Sequence, residues 1–299
     1  MKLKERIISK GKKSMKNYVI VAETGSDISK ELAKEYGIYL VPMHVIFGNK
    51  VKDDGTFPPE EVCTYYEKTG QIPKTSGCNP DDFIDVFGEI VVKDLESHII
   101  YMAYSAVTTC SFQSAKLVAG EDESVSFIDT KHVSIGQCAS VIRMAQKLRE
   151  HPEWDVEQVE YAAKEICKSV KMCFVPSDLD YLKAGGRVSN AAALCGNILG
   201  ICPKIEVVDG YLKATKKYRG RMKKIVQKVI KDFCMEHDLE RNEIWMGYST
   251  GFAEELKEYA VQIAQEIGFK KVNWIKVGGV ITTHGGPNAF CIAGFINIK

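Results

Sequence analysis

The residues Gly247-Tyr-Ser-Thr-Gly251 fit the G-x-S-x-G pattern of a nucleophile elbow. They fall between an expected strand and an expected helix, the context an elbow needs. Ser249 would be the nucleophile and His284 its base. The acids between them are Glu254, Glu255, Glu258 and Glu266. All lie on the helix directly after Ser249, where none can orient a histidine from a later loop, so a glycine-bounded turn is the favoured reading. Other residues suit an anion. Thr75 and Ser76 can donate hydroxyl hydrogen bonds to a carboxylate without adding charge, or cap a turn near Asn79-Pro80. Tyr104-Ser-Ala-Val-Thr-Thr-Cys-Ser111 sets hydroxyls before a helix, where N-terminal N–H groups favour negative charge, although capping uses the same residues. Arg187 follows the pair Gly185-Gly186 and could fork onto a carboxylate or phosphate, though an isolated arginine is most often a surface residue. His284 precedes Gly285-Gly286-Pro287; a lone loop histidine is usually structural, but glycines let backbone approach a ligand.

Several chemistries lack their signatures. There is no G-x-x-x-x-G-K-[ST] phosphate loop, no G-x-G-x-x-G and no H-E-x-x-H. Forty Lys and Arg against 39 Asp and Glu give a formal net charge of +1, without the basic excess that nucleic-acid binding needs. Ten cysteines include no C-x-x-C, which argues against a zinc site and for a reduced, cytoplasmic protein. No apolar run is long enough to span a membrane. The basic segment 1–16 has no apolar signal core; it reads as a tail, with transient contact to a membrane surface as the sharper alternative.

The elements that must position these residues alternate. Strands are expected at 18–22, 38–46, 98–104 and 124–128, separated by helices, with helices at 134–149 and 156–169 after them. That order implies βαβ units and a parallel sheet, with loops at its carboxyl edge forming a crevice. Residues 74–80 read as a polar loop. Beyond about residue 170 the pattern changes. Asp209-Gly210 marks a hairpin between strands 201–208 and 210–218. Helices are expected at 177–183, 190–199, 219–237 and 252–267, and strands at 172–176, 243–249, 274–280 and 290–298. The expectation is an α/β protein with two domains: a parallel-sheet α/β domain over 17–170 and an α+β domain with a mixed or antiparallel sheet over 171–299.

Taken in order, these features resemble the DegV family of bacterial lipid-binding proteins. The most specific pieces are Tyr181-Leu-Lys-Ala-Gly-Gly-Arg-Val-Ser189, Ile201-Cys-Pro203 with Asp209-Gly210, Lys217-Tyr-Arg219 and His284-Gly-Gly-Pro287. Thr75-Ser76, Phe112-Gln-Ser-Ala115, Asp129-Thr130 and Ser134-Ile-Gly-Gln137 support them. The resemblance implies a fatty acid of roughly 14–18 carbons buried in a tunnel, with no other cofactor. It further implies a separate ATP-dependent fatty acid kinase subunit that phosphorylates the bound carboxylate, so that the chain is a carrier and not an enzyme by itself. By analogy Thr75, Ser76 and Ser105 hold the head group, with Thr108, Thr109 or Ser105 as the substitute for the missing loop serine, and Arg187, Arg219 and His284 face the acyl phosphate or the kinase. Two segments depart from the family pattern. Glu23-Thr24 replaces Asp-Ser, and Ala106 and Cys110 replace a serine and a glycine in the loop after Tyr104.

The physics suits such a ligand. Each buried methylene contributes about 0.8 kcal/mol, so a chain of about sixteen carbons offers roughly 10 kcal/mol before binding costs. Leu179, Leu182, Leu194, Ile198, Leu199 and Ile201 are candidates for the tunnel wall. The alternatives are a stand-alone enzyme on a small carboxylated, phosphorylated or ester substrate, and a regulatory module without ligand.

Overall fold

Residues Tyr18–Glu23 form strand β1, and its last four residues are buried, as expected of an apolar run inside a covered sheet. The structure is a computed structural model and describes residues 17–188 and 201–297. The expected helix at 190–199 and the tail 1–16 lie outside the described residues. After β1 come α1 (Lys30–Tyr36), β2 (Tyr39–Val41), β3 (His44–Phe47), β4 (Lys50–Asp53), α2 (Glu60–Thr69), β5 (Lys74–Ser76) and α3 (Pro80–Lys93). Then follow β6 (His98–Ala103), α4 (Ser111–Ala119), β7 (Val125–Asp129), α5 (Ser134–Glu150) and α6 (Val156–Ser169). The second half runs β8 (Val170–Val175), α7 (Leu179–Gly185), β9 (Ile201–Val208), β10 (Tyr211–Arg219), α8 (Met222–Glu236) and β11 (Ile244–Tyr248). It ends with α9 (Glu254–Ile267), β12 (Val272–Lys276), α10 (Gly279–Gly285) and β13 (Phe290–Phe295).

The architecture is α/β. One sheet, ordered β2-β1-β6-β7, is wholly parallel. The larger sheet, ordered β10-β9-β8-β13-β11-β12, is mixed, with only β11 and β12 parallel. The turn joining β9 to β10 holds Asp209 at φ 51° and Gly210 at φ 85°, the two positive angles a two-residue hairpin turn uses.

Three expectations are corrected. Residues 38–46 are not one strand. They break at Pro42, which has no N–H to donate to a ladder, so β2 joins the parallel sheet while β3 turns into a small antiparallel sheet ordered β4-β3-β5. The expected loop at 74–80 begins as β5, pairing Thr75 with Val45 and Ser76 with His44; a three-residue polar strand carries too little alternation to be seen. Finally, the strand expected over 274–280 ends at Lys276, and His284 lies on the helix α10 rather than in a loop.

Helix α5 joins the two sheets. Residues 134–142 are buried without a break, because the helix packs against β1 and β6 of one sheet and β8, β11 and β13 of the other. A Cβ on Gly136 would stand 2.6 Å from Met172 Sδ, so glycine lets α5 close onto β8. One hydrophobic cluster accordingly runs from Ile20 in the first sheet to Phe295 in the second.

Candidate ligand cavity

Where the two halves meet they form a partly open cavity. Its apolar wall includes Met43 after β2, Val133 before α5, Met172 and Phe174 of β8, Leu212 of β10 and Val280 of α10. Its polar groups are Thr75 and Ser76 of β5, Tyr104, Thr108 and Thr109 of the loop before α4, Ser134, Arg187, Ser249 and His284. Five of the six residues expected to bind a ligand therefore converge here from distant parts of the chain: Thr75, Ser76, Thr109, Arg187 and His284.

Ser105 does not line the cavity. Its buried hydroxyl donates to the Gly210 carbonyl at 2.9 Å, tying the loop after β6 to the β9–β10 turn. Arg219, at the end of β10, is exposed and also outside the cavity. Leu179, Leu182 and Ile201 do not line it either, and Leu182 is core, 3% exposed. Leu194, Ile198 and Leu199 lie outside the described residues. The residues that do form the apolar wall were missed because Met172, Phe174 and Leu212 sit on strands whose apolar positions look like any core.

The polar end is built from close approaches that particular residues permit. Thr75 Oγ1 and His284 Nε2 are 2.8 Å apart, a bond that joins the halves. A Cβ on Gly185 would meet His284 Nδ1 at 2.3 Å, so the first glycine of the pair makes room for the ring. The second, Gly186, takes φ 62° and ends α7. Thr109 Oγ1 is 3.0 Å from Ser111 Oγ, which accepts the Cys78 N–H at 3.0 Å. A Cβ on Gly77 would lie 2.1 Å from Thr109 Oγ1, so only glycine lets this hydroxyl reach β5.

The charges are sparse. His284 faces the cavity and is otherwise surrounded by protein; burial, then the neighbouring Arg187 cation, push its pKa down to about 4. It is neutral at neutral pH, which leaves Arg187 as the positive charge among the lining residues. Arg187 is an exposed residue of the lining, and its guanidinium donates to the Gly185 carbonyl at 2.7 Å. Because His284 titrates lower when folded than its unfolded value near 6.5, its contribution to stability is whole above pH 6.5 and is lost as pH falls towards 4. The wild type should therefore lose about 1.4 kcal/mol per pH unit in that window relative to His284→Gln, read from urea midpoints of the two proteins.

Ser249 Oγ accepts the Ala289 N–H at 2.8 Å, while His284 Nε2 is engaged by Thr75. The elbow reading thus finds its serine and its histidine on one cavity wall but bonded to other partners. Elsewhere, Glu206, Glu236 and His237 place ligand atoms within 4.8 Å of one another, but the buried Lys204 ammonium is bonded to both carboxylates, 3.0 Å from Glu206. All nine described cysteines are free thiols. Among the described residues no helix is long and apolar enough to cross a membrane.

Fold and cavity together define an α/β protein that encloses an amphipathic chamber between a parallel and a mixed sheet. The family model described as "uncharacterised protein, DegV family" matches residues 17–296, and the chain belongs to that family. A DegV domain-containing protein of Caldanaerobacter subterraneus subsp. tengcongensis is 28% identical over 278 residues, covering 92% of this chain and 97% of the relative. One from Clostridium acetobutylicum is 30% identical over 224 residues, 73% of this chain and 78% of the relative. Among solved structures, a fatty-acid-binding DegV family protein from Thermus thermophilus superimposes with a TM-score of 0.84 at 24% identity, covering 94% of this chain and 100% of that one. A stearic-acid-binding protein from Eubacterium ventriosum gives a TM-score of 0.80 at 24% identity over 93% of this chain and 98% of its own. At these identities the structural likeness bears on the fold.

Proposed function

We propose that the chain binds a long-chain fatty acid in the cavity and presents its carboxylate, at the Thr75–His284–Arg187 end, to a separate ATP-dependent kinase subunit. The observation that carries this reading is the chamber itself: apolar walls from the mixed sheet, α10 and the segments around Met43 and Val133, hydroxyls from β5 and the loop before α4, and one cation, Arg187. A buried carboxylate must be hydrogen-bonded, and Thr75, Ser76 and Thr109 supply neutral donors. The Thermus and Eubacterium relatives, described as binding a fatty acid or stearic acid, have the same fold. Phosphorylating a carboxylate that is already ionised needs positioning rather than a base. A nucleotide-free partner role suits a chain with no phosphate-loop motif, and the exposed Arg187 and Arg219 would meet the acyl phosphate or the kinase. We place the boundary between the two units at about residue 170, where β8 begins, and the site of action in the cytoplasm.

Mass spectrometry of organic extracts of the purified protein is the direct test. A stoichiometric long-chain acid is expected; no acid in the extract and no uptake of added acids would overturn the reading. Arg187→Ala is expected to weaken binding only about fivefold, because an exposed cation contributes about 1 kcal/mol, as read by titration with a fluorescent fatty acid. Acyl phosphate formation with the kinase is expected to fall much further.

A further inference from the structure

Helix α10 is held by the first half of the chain at both ends. At its C-terminal end His284 meets Thr75. At its N-terminal end two buried carboxylates hold it. Asp27 Oδ1 accepts the Gly278 N–H at 2.7 Å, and Asp54 Oδ1 accepts those of Gly279 and Val280 at 2.8 and 3.3 Å. Asp27 Oδ2 also accepts the Ser134 hydroxyl at 2.5 Å. The backbone here is pressed against its partners. A Cβ on Gly278 would stand 3.1 Å from Asp54 Oδ1 and 3.4 Å from Asp27 Oδ1, and one on Gly279 would meet the Phe57 ring at 2.5 Å.

These bonds lie in a partition. On its inner side Val277, Val280 and Ser134 line the ligand cavity. On its outer side Asp27, Asp54 and Gly278 line an open surface cleft. Val277 thus borders the ligand cavity and the next residue, Gly278, the outer cleft. An apolar seam at this place would lose its contacts to water on opening. Carboxylates that border a cleft are instead rehydrated when their N–H partners lift away, which offsets part of the loss. While the wall is closed the same buried oxygens accept three backbone N–H groups and hold it in place.

We infer that Asp27 and Asp54 are positioning residues that latch the Gly278–Val280 wall and thereby set the rate at which ligand enters and leaves the cavity, an inference that rests on the fatty-acid reading above. A latch raises both rates together when loosened and leaves the equilibrium nearly unchanged; damage to the pocket changes the equilibrium.

Stopped-flow association and dissociation of a fluorescent long-chain fatty acid, with amide hydrogen exchange at Gly278–Ile281, test this. Asp54→Ala is expected to speed exchange of these amides and to raise both rates about tenfold, with Kd changed less than threefold. Asp54→Asn, which keeps an acceptor oxygen, is expected to restore most of both. Should Asp54→Ala fail to fold, Asp27→Ala, which removes the acceptor of the Gly278 N–H, is the second variant, expected to raise both rates severalfold. Unchanged amide exchange, or faster exchange with unchanged ligand rates, overturns the inference, as does a rise in Kd matching the rise in dissociation. A wild type that binds no fatty acid overturns the functional reading itself; a wild type that binds but is indifferent to both carboxylates overturns only the latch.

Discussion

Glu23→Ala should destabilise the fold by about 4 kcal/mol, measured by urea denaturation, because it strands buried donors worth about 1–3 kcal/mol each. Glu23 ends β1 and is wholly buried. One carboxylate oxygen accepts the Tyr101 hydroxyl at 2.5 Å; the other accepts the Tyr104 N–H at 2.9 Å and the Gln137 amide at 2.7 Å. Every partner is a donor, so the substitution takes this acceptor from the Tyr101 hydroxyl and the Tyr104 N–H, while Gln137 keeps its bond to the Met102 carbonyl at 2.9 Å. Burial raises the Glu23 pKa, and the three hydrogen bonds pull against that rise. The loss is also functional, since Tyr104 lines the cavity and its backbone hangs from this carboxylate. Glu23→Gln is expected to cost less but more than nothing, because its amide N–H would point at a donor. Equal stability of Glu23→Ala and wild type would remove this account of the network.

Leu212→Trp should abolish tight binding of the longest acids while the protein stays folded. Leu212 lines the cavity from β10, the edge strand of the mixed sheet, which at this residue is bridged to Val188. An indole in that space displaces about four methylenes of ligand, which costs about 3 kcal/mol or roughly 200-fold in Kd. Shorter acids, which leave part of the cavity empty, should lose less. Displacement titrations across a series of chain lengths check this, and a uniform loss at every length would mean that the cavity collapsed rather than shortened.

The two predictions draw on different kinds of information. Glu23 was visible in the sequence as a polar residue closing an apolar run, and Glu23-Thr24 stood out as a departure from the family pattern. Its partners were not visible, because Tyr101, Tyr104 and Gln137 come to it across 78 to 114 residues of chain. Leu212 was hidden for the opposite reason. It alternates on β10 with exposed lysines in the ordinary pattern of a half-buried strand, and nothing local separates a residue that faces a cavity from one that faces core.

Local physics was enough for the α/β order, the parallel sheet and the Asp209-Gly210 hairpin. Periodicity, glycine and capping act within a few residues and can be read along the chain. Motif order was enough to nominate Thr75, Ser76, Thr109, Arg187 and His284, all of which converge on one cavity. Tertiary structure alone decided three things. It spent the Ser105 hydroxyl on Gly210, 105 residues away, which no local pattern announces. It turned residues 279–285 into a helix, because Asp54, and Asp27 just before it, supply acceptors for N–H groups that the local sequence leaves without a cap. And it lowered the His284 pKa by surrounding the ring with protein beside Arg187, a consequence of three-dimensional burial that no spacing of residues along a chain encodes.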